Sequence, residues 1–290
     1  MVKIKSFAVI GGDKRQAEMA KSIAADGYTV YAAGLEGLAL SPAVQRAQAE
    51  KAALQAETVI FPLPASKDGK TVNAPYSAAE IPLSDALAEA LRGKMVFCGM
   101  KERLRQAGGA WRAMPLHDYF AREEFAVHNA VPTGEGALEI AMREYPGTIS
   151  GARCLVTGYG RIGKALSAML GALHANVTVS ARKPGDLAWI QAAGFRAVET
   201  GSLAQQGETY DIIFNTIPAM IFDAHTLAKT AEGALVIDLA SAPGGVDFEA
   251  ARRLGIPAVQ ALSLPGKVAP RTAGEIIKNI VYHVTEEGLA

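Results

Sequence analysis

Only two cysteines, Cys98 and Cys154, occur in 290 residues, and both sit inside apolar runs with strand character. That argues against a disulfide framework or a cysteine metal site and predicts two buried, reduced thiols. Neither sign of charge is in excess: 29 Lys and Arg stand against 29 Asp and Glu. A nucleic-acid partner, which demands a basic surface, is therefore not expected. No apolar run approaches the roughly 18 residues that span a bilayer, so no membrane partner is expected either. Met1-Val2-Lys3-Ile4-Lys5-Ser6 leads straight into a strand-like run without a signal-peptide pattern, and the expected location is cytoplasmic. Internal repeats, low-complexity tracts, a zinc-ligand cluster (so no metal is expected), a Ser-His-Asp spacing and a Walker lysine are all missing.

Half of the residues are hydrophobic and a fifth are charged, a balance that leaves little room for disorder. At 290 residues the chain is long for a single core, which predicts two domains. Apolar runs at Phe7–Ile10, Tyr28–Ala32, Thr58–Phe61 and Met95–Cys98 alternate with helical stretches. A second series follows at Val177–Val179, Asp211–Phe214, Ala234–Ile237 and Pro257–Val259. Such alternation specifies parallel sheets with right-handed crossovers. The predicted fold is α/β: two Rossmann-like, doubly wound parallel-sheet domains with a cleft between them. A last helix, Thr272 to Glu286, crosses back to the first domain. The first domain takes residues 1–128 plus 270–290 and handles substrate. The second, 129–269, binds NAD(P) and includes a linking helix over Thr133–Glu144. Pro62 to Pro82, with four prolines, reads as an irregular loop over the carboxyl edge of the first sheet and a candidate pocket wall.

The most informative stretch is Gly158-Tyr159-Gly160-Arg161-Ile162-Gly163, placed between the apolar run Arg153–Thr157 and a helical stripe of Ile162, Ala165, Leu166, Met169, Leu170 and Leu173. Strand, glycine turn and helix together specify a dinucleotide site. Gly158 permits the sharp turn, Gly160 lets the backbone approach a pyrophosphate, and Gly163 lets helix and strand lie close. The helix N-terminus adds unpaired N–H donors and a partial positive charge. About 20 residues on, where an NAD site carries an acid for the ribose 2′-OH, the chain reads Val179-Ser180-Ala181-Arg182-Lys183. A hydroxyl and two cations suit a 2′-phosphate, so NADP is the expected cofactor, with NAD possible. Solvated loop cations are the plain alternative.

Other loops at strand ends supply further candidates. Asn215 and Thr216, with Pro218, follow one strand and suit the ribose or carboxamide. Asp238, Ala240 and Ser241 follow the next, and Asp247 closes that loop. For the two aspartates a cap or turn is at least as good a reading. Lys267, Arg271 and Thr272 lie in the loop Leu264–Gly274, just before the last helix, and suit an anionic substrate. Gly12, Asp13 and Arg15 form a second strand-to-helix turn able to hold an anion, though Asp13 alone is an N-cap. Asn129 and Thr133 begin the linking helix, Thr133 as its N-cap. His117, Glu135 and Asp247 are the candidates to take a proton.

These blocks in order resemble the family of the dipicolinate synthase A-subunit, its dehydrogenase component. The resemblance rests on Ala8-Val9-Ile10-Gly11-Gly12-Asp13 with Arg15-Gln16, on Val131–Gly136, on the Gly158–Gly163 turn and on Asn215-Thr216-Ile217-Pro218. It continues through Asp238–Gly245, Leu264-Pro265-Gly266 and Ala269–Gly274, while the Pro62–Pro82 loop matches only loosely. The last two blocks also resemble alanine dehydrogenase, which sets the runner-up: an NAD(P)-dependent amino- or hydroxy-acid dehydrogenase. A cofactor-binding scaffold without catalysis is the third reading. The dipicolinate synthase resemblance implies oxidation of dihydrodipicolinate, or its 4-hydroxy tetrahydro form, to pyridine-2,6-dicarboxylate with NADP⁺. It also implies a flavoprotein-like B-subunit as partner, flavin only through that partner, the setting of a sporulating mother cell, and a homo-oligomer as well.

Overall fold

The computed structural model describes residues 4–203 and 209–289. The chain divides into unit 1, residues 1–128 and 269–290, and unit 2, residues 129–268. Unit 1 opens with β1 (Ser6–Ile10), α1 (Lys14–Ala25), β2 (Thr29–Ala33), β3 (Val44–Arg46) and α2 (Ala49–Gln55). It continues with β4 (Thr58–Ile60), α3 (Asp85–Ala90), β5 (Met95–Cys98), α4 (Glu102–Arg105) and β6 (His117–Asp118). Helix α5 (Glu123–Glu144) then carries the chain into unit 2. There β7 (Arg153–Thr157), α6 (Arg161–Ala172), β8 (Asn176–Ala181), α7 (Pro184–Ala192) and β9 (Arg196–Glu199) make the first half. The second half is β10 (Ile212–Asn215), α8 (Ala224–Leu227), β11 (Leu235–Asp238), α9 (Phe248–Arg253), β12 (Ala258–Gln260) and α10 (Leu264–Val268). The last helix, α11 (Pro270–Leu289), returns to unit 1.

Each unit holds one six-stranded parallel sheet, ordered β3-β2-β1-β4-β5-β6 and β12-β11-β10-β7-β8-β9. Strand order therefore reverses beside β1 in unit 1 and beside β7 in unit 2, and ligands bind such sheets at the carboxyl ends next to the reversal. Helices cover both faces, so the central strands are apolar between their ends rather than alternating. Phe7 and Val9 of β1 join one apolar cluster with Met19, Ile23 and Ile277, while Ala8 and Ile10 join the opposite one with Phe61 and Trp111. In unit 2, Cys154 and Val156 face one cluster and Leu155, Ile213 and Val236 the other. Both cysteines are buried and free, and burial pushes each thiol up to about 12.

Three short or edge strands, β3, β6 and β9, escape a reading by apolar runs, because each has only two to four residues and several of them are polar. Helix α5 begins ten residues before the predicted Thr133, and Pro132 lies inside it. Thr133 is thus no N-cap: its hydroxyl donates to the carbonyl of Asn129, one turn back, at 2.7 Å. Proline has no N–H to give the carbonyl four residues earlier. That carbonyl belongs to His128, where unit 1 gives way to unit 2. The last helix likewise starts earlier than predicted, at Pro270. Pro at the first helical position gives up no hydrogen bond, since that N–H is unpaired in any helix. A Cβ on Gly274 of α11 would stand 2.6 Å from the carbonyl oxygen of Arg15 and 2.9 Å from the amide of Met19, so glycine lets α11 and α1 approach backbone to backbone.

Candidate dinucleotide site

The chain leaves β7 at Thr157 and turns through Gly158, whose φ of +90° lies in the left-handed region. A Cβ there would also meet the Thr216 hydroxyl at 2.7 Å. Gly163, in the first turn of α6, is more constrained still: its Cβ would stand 2.0 Å from the carbonyl oxygen of Gly158. Gly160 is the opposite case. It caps α6 with extended backbone, donates no side-chain cap, and no heavy atom lies within 4 Å of where its Cβ would be. Two glycines thus close the turn and the third keeps a space in front of the uncapped N–H groups of a twelve-residue helix. This cradle fits a pyrophosphate by shape and by partial charge. Tyr159 beside it has the Lys164 ammonium 5.3 Å from its ring centre.

Beneath the turn lies a buried polar chain linking three strand ends. Thr157 Oγ1 donates to Asn215 Oδ1 at 2.6 Å, and Asn215 Nδ2 donates to Asp238 Oδ1 at 2.8 Å. Asn215 also accepts from the Ile217 amide at 3.2 Å and donates to the Ile217 carbonyl at 3.0 Å. Asp238 accepts further from the amides of Ala240 at 3.2 Å and Gly245 at 3.0 Å. Thr157, Asn215 and Asp238 are all fully buried. This corrects Asn215 as a side-chain contact for ribose or carboxamide, because it spends its side chain holding the loops after β10 and β11; Asp238 holds the same loops, the turn role weighed for it beside the cofactor one. Ala240 is buried with them, whereas Pro218 and Ser241 are exposed on the same loops. Thr216 Oγ1 donates to the Thr157 carbonyl at 2.7 Å, which pins the loop against the glycine turn. Thr157, which no motif flagged, was readable as the residue where β7 meets Gly158.

Ser180 is corrected too. It is fully buried and accepts from the Thr200 hydroxyl at 3.1 Å, with its backbone carbonyl taking the Gly158 amide at 2.9 Å. It cannot touch a 2′-phosphate. Arg182 and Lys183 are exposed just past the end of β8 and can. No acid replaces them there.

The remaining candidates separate by unit. In unit 1, Asp13 caps α1 in a capping box, accepting from the Arg15 amide while Gln16 Oε1 accepts from the Asp13 amide, each at 3.0 Å. Arg15 Nε and Nη2 donate to the Asp13 carboxylate at 3.0 and 2.9 Å, and Nη2 donates to the Leu63 carbonyl at 2.7 Å. The guanidinium is thus buried, aimed and stiff. Gly12 donates its amide to the Asn73 carbonyl at 2.8 Å, and Val72 lies where a Gly11 Cβ would be, 2.6 Å away. The Pro62–Pro82 loop therefore closes this second glycine turn, which corrects Gly12 as an anion site. His117 is exposed on β6 and stacks on Phe97, ring centres 5.1 Å apart. Arg271 and Thr272 are exposed in the first turn of α11, in a helix rather than the expected loop. In unit 2, Lys267 is exposed on α10, also helical, and Asn129, Thr133 and Glu135 lie on α5, of which Glu135 is exposed. Asp247 caps α9, accepting from the Ala250 amide at 2.9 Å, so the capping reading describes it better than catalysis. Among the described residues no cluster of His, Cys, Asp and Glu could hold a metal, and no helix is long and apolar enough to cross a membrane.

A doubly wound sheet with an open, glycine-lined helix N-terminus at its strand reversal defines a protein of the Rossmann type. Residues 119–249 match the NAD-binding domain of D-isomer-specific 2-hydroxyacid dehydrogenases, which supports a nicotinamide cofactor and an oxidoreductase. Residues 6–120 match the N-terminal domain of the dipicolinate synthase A-subunit. The A-subunit of Bacillus subtilis dipicolinate synthase is 34% identical over 284 residues, 97% of this chain and 96% of that protein. The chain belongs to the dipicolinate synthase A-subunit family. The crystal structure of the Bacillus halodurans member superposes with a TM-score of 0.87 at 29% identity, covering 98% of each chain. L-alanine dehydrogenase, at 15% identity and a TM-score of 0.63 over 98% of this chain and 91% of that one, shares the fold.

Proposed function

We propose that this chain is the dehydrogenase component of a dipicolinate synthase and oxidises dihydrodipicolinate, or its 4-hydroxy tetrahydro precursor, to pyridine-2,6-dicarboxylate. The observation that carries the reading is the glycine cradle of unit 2 within a chain matched end to end by that family. NADP⁺ supplies the hydride-accepting carbon. The chain's own part is to hold and neutralise. The amides at the start of α6 take the pyrophosphate, and Arg182 with Lys183 takes the 2′-phosphate. Arg15, fixed by Asp13 and Leu63 through Nε and Nη2, keeps its Nη1 amine as a receptor for a substrate carboxylate, with little rotamer freedom left to lose on binding. Arg271 and Thr272, in the same unit as Arg15, are exposed donors for the other.

The balance is simple: dihydrodipicolinate loses one hydride and one proton, and a hydroxylated precursor must first lose water. The proton goes to water or to His117 or Glu135, neither of which has a structural partner that claims it as a cap. Aromatisation drives the step, so positioning is the protein's chief contribution. A flavoprotein-like B-subunit completes the assembly, which works in the cytoplasm. The test is NADPH formation by the purified chain from dihydrodipicolinate, with and without that partner. Turnover that requires the dicarboxylate supports the reading. Faster oxidation of alanine or a 2-hydroxy acid, or none with the partner present, overturns it.

A further inference from the structure

Asp238 is the one candidate in the nucleotide unit whose chemistry is left over once hydrogen bonding is described. Its side chain is fully buried, and among the described residues it makes no ion pair. All three of its partners are donors: Asn215 Nδ2, the Ala240 amide and the Gly245 amide, at 2.8, 3.2 and 3.0 Å. A protonated carboxyl would need an acceptor for its own hydrogen, and none is placed there; the environment is that of a carboxylate. Asn215 cannot reverse to supply one, because its Oδ1 is held by the Thr157 hydroxyl and the Ile217 amide. Among the described residues, a negative charge here is compensated in the dry interior only by dipoles. Such a charge is stabilised by any cation that binds nearby in the same low-dielectric surroundings.

Asp238 ends β11, one strand beyond β10 on the side of the strand reversal away from β8. A dinucleotide laid across a doubly wound sheet puts its adenosine half over one side of the reversal and its other half over the opposite side. Arg182 and Lys183 follow β8, which assigns the adenosine half there and the nicotinamide half to the loops after β10 and β11. The oxidised nicotinamide ring carries one positive charge and the reduced ring none. We infer that the buried Asp238 carboxylate makes this site discriminate between the redox states of its cofactor, favouring the oxidised, cationic form and hastening release of the reduced one. The inference rests on the dinucleotide reading above. Asp238 acts through the Ala240 and Gly245 backbone that covers it and touches no ligand, so its part is positioning and field, not contact.

The experiment is calorimetric titration of the full chain with NADP⁺, NADPH and 2′-phospho-ADP-ribose, which lacks the nicotinamide, or with the unphosphorylated set if that binds more tightly. The wild type should bind the oxidised form more tightly than the reduced one. Asp238→Asn should lower that preference about tenfold while leaving 2′-phospho-ADP-ribose within about twofold. Tighter binding of the reduced form by the wild type overturns the inference and needs no variant, which covers a variant that fails to fold. An unchanged ratio in Asp238→Asn, or an equal loss for all three ligands, assigns Asp238 a merely structural role and also overturns it. Absence of binding by all three to the wild type would instead refute the dinucleotide reading itself.

Discussion

Alanine at Gly163 and at Gly160 should do different things, and the difference tests whether a pyrophosphate lies on the turn. A Cβ at Gly163 would sit 2.0 Å from the Gly158 carbonyl oxygen and 3.0 Å from its carbon. Both obstructing partners are backbone, so no flexible side chain can yield and the turn or the helix must move. Overpacking of this kind costs about 1–3 kcal/mol, equivalent to roughly 5- to 150-fold in a binding constant. Gly163→Ala should therefore lower thermal stability and cofactor affinity together. Gly160 has extended backbone with φ −82° and ψ −162°, and nothing lies within 4 Å of its Cβ position. Gly160→Ala should fold with stability within about 0.5 kcal/mol of the wild type, as surface changes usually do. Its methyl would stand in the space in front of the α6 amides, and NADPH affinity should fall about tenfold or more. Fluorescence titration with NADPH, alongside thermal melts, reads both quantities. Unaltered NADPH affinity in Gly160→Ala would refute the placement of the phosphates.

Arg182→Ala combined with Lys183→Ala should weaken NADP⁺ about tenfold or more and NAD⁺ by less than about threefold in the same titration, because a charge-assisted bond is worth about 1.5–3 kcal/mol. Arg15→Lys keeps the charge but loses the fork that grips both Asp13 and the Leu63 carbonyl, so KM for the dicarboxylate should rise about tenfold with a smaller change in kcat; steady-state kinetics with a thermal melt checks it. Asp211 ties the start of β10 to β7 through Arg153 (2.6 Å), and the Arg153 hydrogen bond holds its carboxyl below the usual aspartate range. A lowered carboxylate stabilises the fold above its ordinary pKa of about 3.9 and stops doing so as pH falls through the lowered value. Asp211→Asn should lower stability at pH 7 by up to about 1 kcal/mol, since the pair is part exposed, and flatten the fall in denaturation midpoint below about pH 4.

How far the sequence speaks can be judged from single elements. β1, β5, β7, β10 and β11 are short apolar runs bounded by turns, and burial on both faces confines their polar residues to the strand ends. β9, Arg196-Ala-Val-Glu, sits at an edge and reads like a helix surface. The early start of α5 was hidden by Pro132, which normally ends a helix but here lies one turn and more inside it. The glycine fingerprint was legible because steric demand fixes residue type. For Asn215, Asp238 and Ser180, position at a strand end does not say whether a polar side chain faces a ligand or its neighbours. Burial decides that, and burial depends on Thr157 and Thr200, 58 and 20 residues away along the chain. The closed turn at Gly12 was likewise invisible, since what fills it is the distant Val72–Asn73 stretch, whose sequence carries little pattern.

The helix that finishes unit 1 is translated only after all of unit 2. Ala273, Ile276, Ile277, Ile280 and Val281 of α11 are buried, with Met19 and Ile23 of α1 in the same cluster as the three isoleucines. The nascent amino-terminal half must therefore wait with an oily helix flank uncovered while residues 129–268 are added. At about 5–20 residues per second that wait lasts many seconds. Nonsense or frameshift lesions within the α11 codons should be far more damaging than their distance along the gene from the coenzyme cradle suggests. Expression hosts short of ribosome-associated holdases should yield this chain mostly as aggregate.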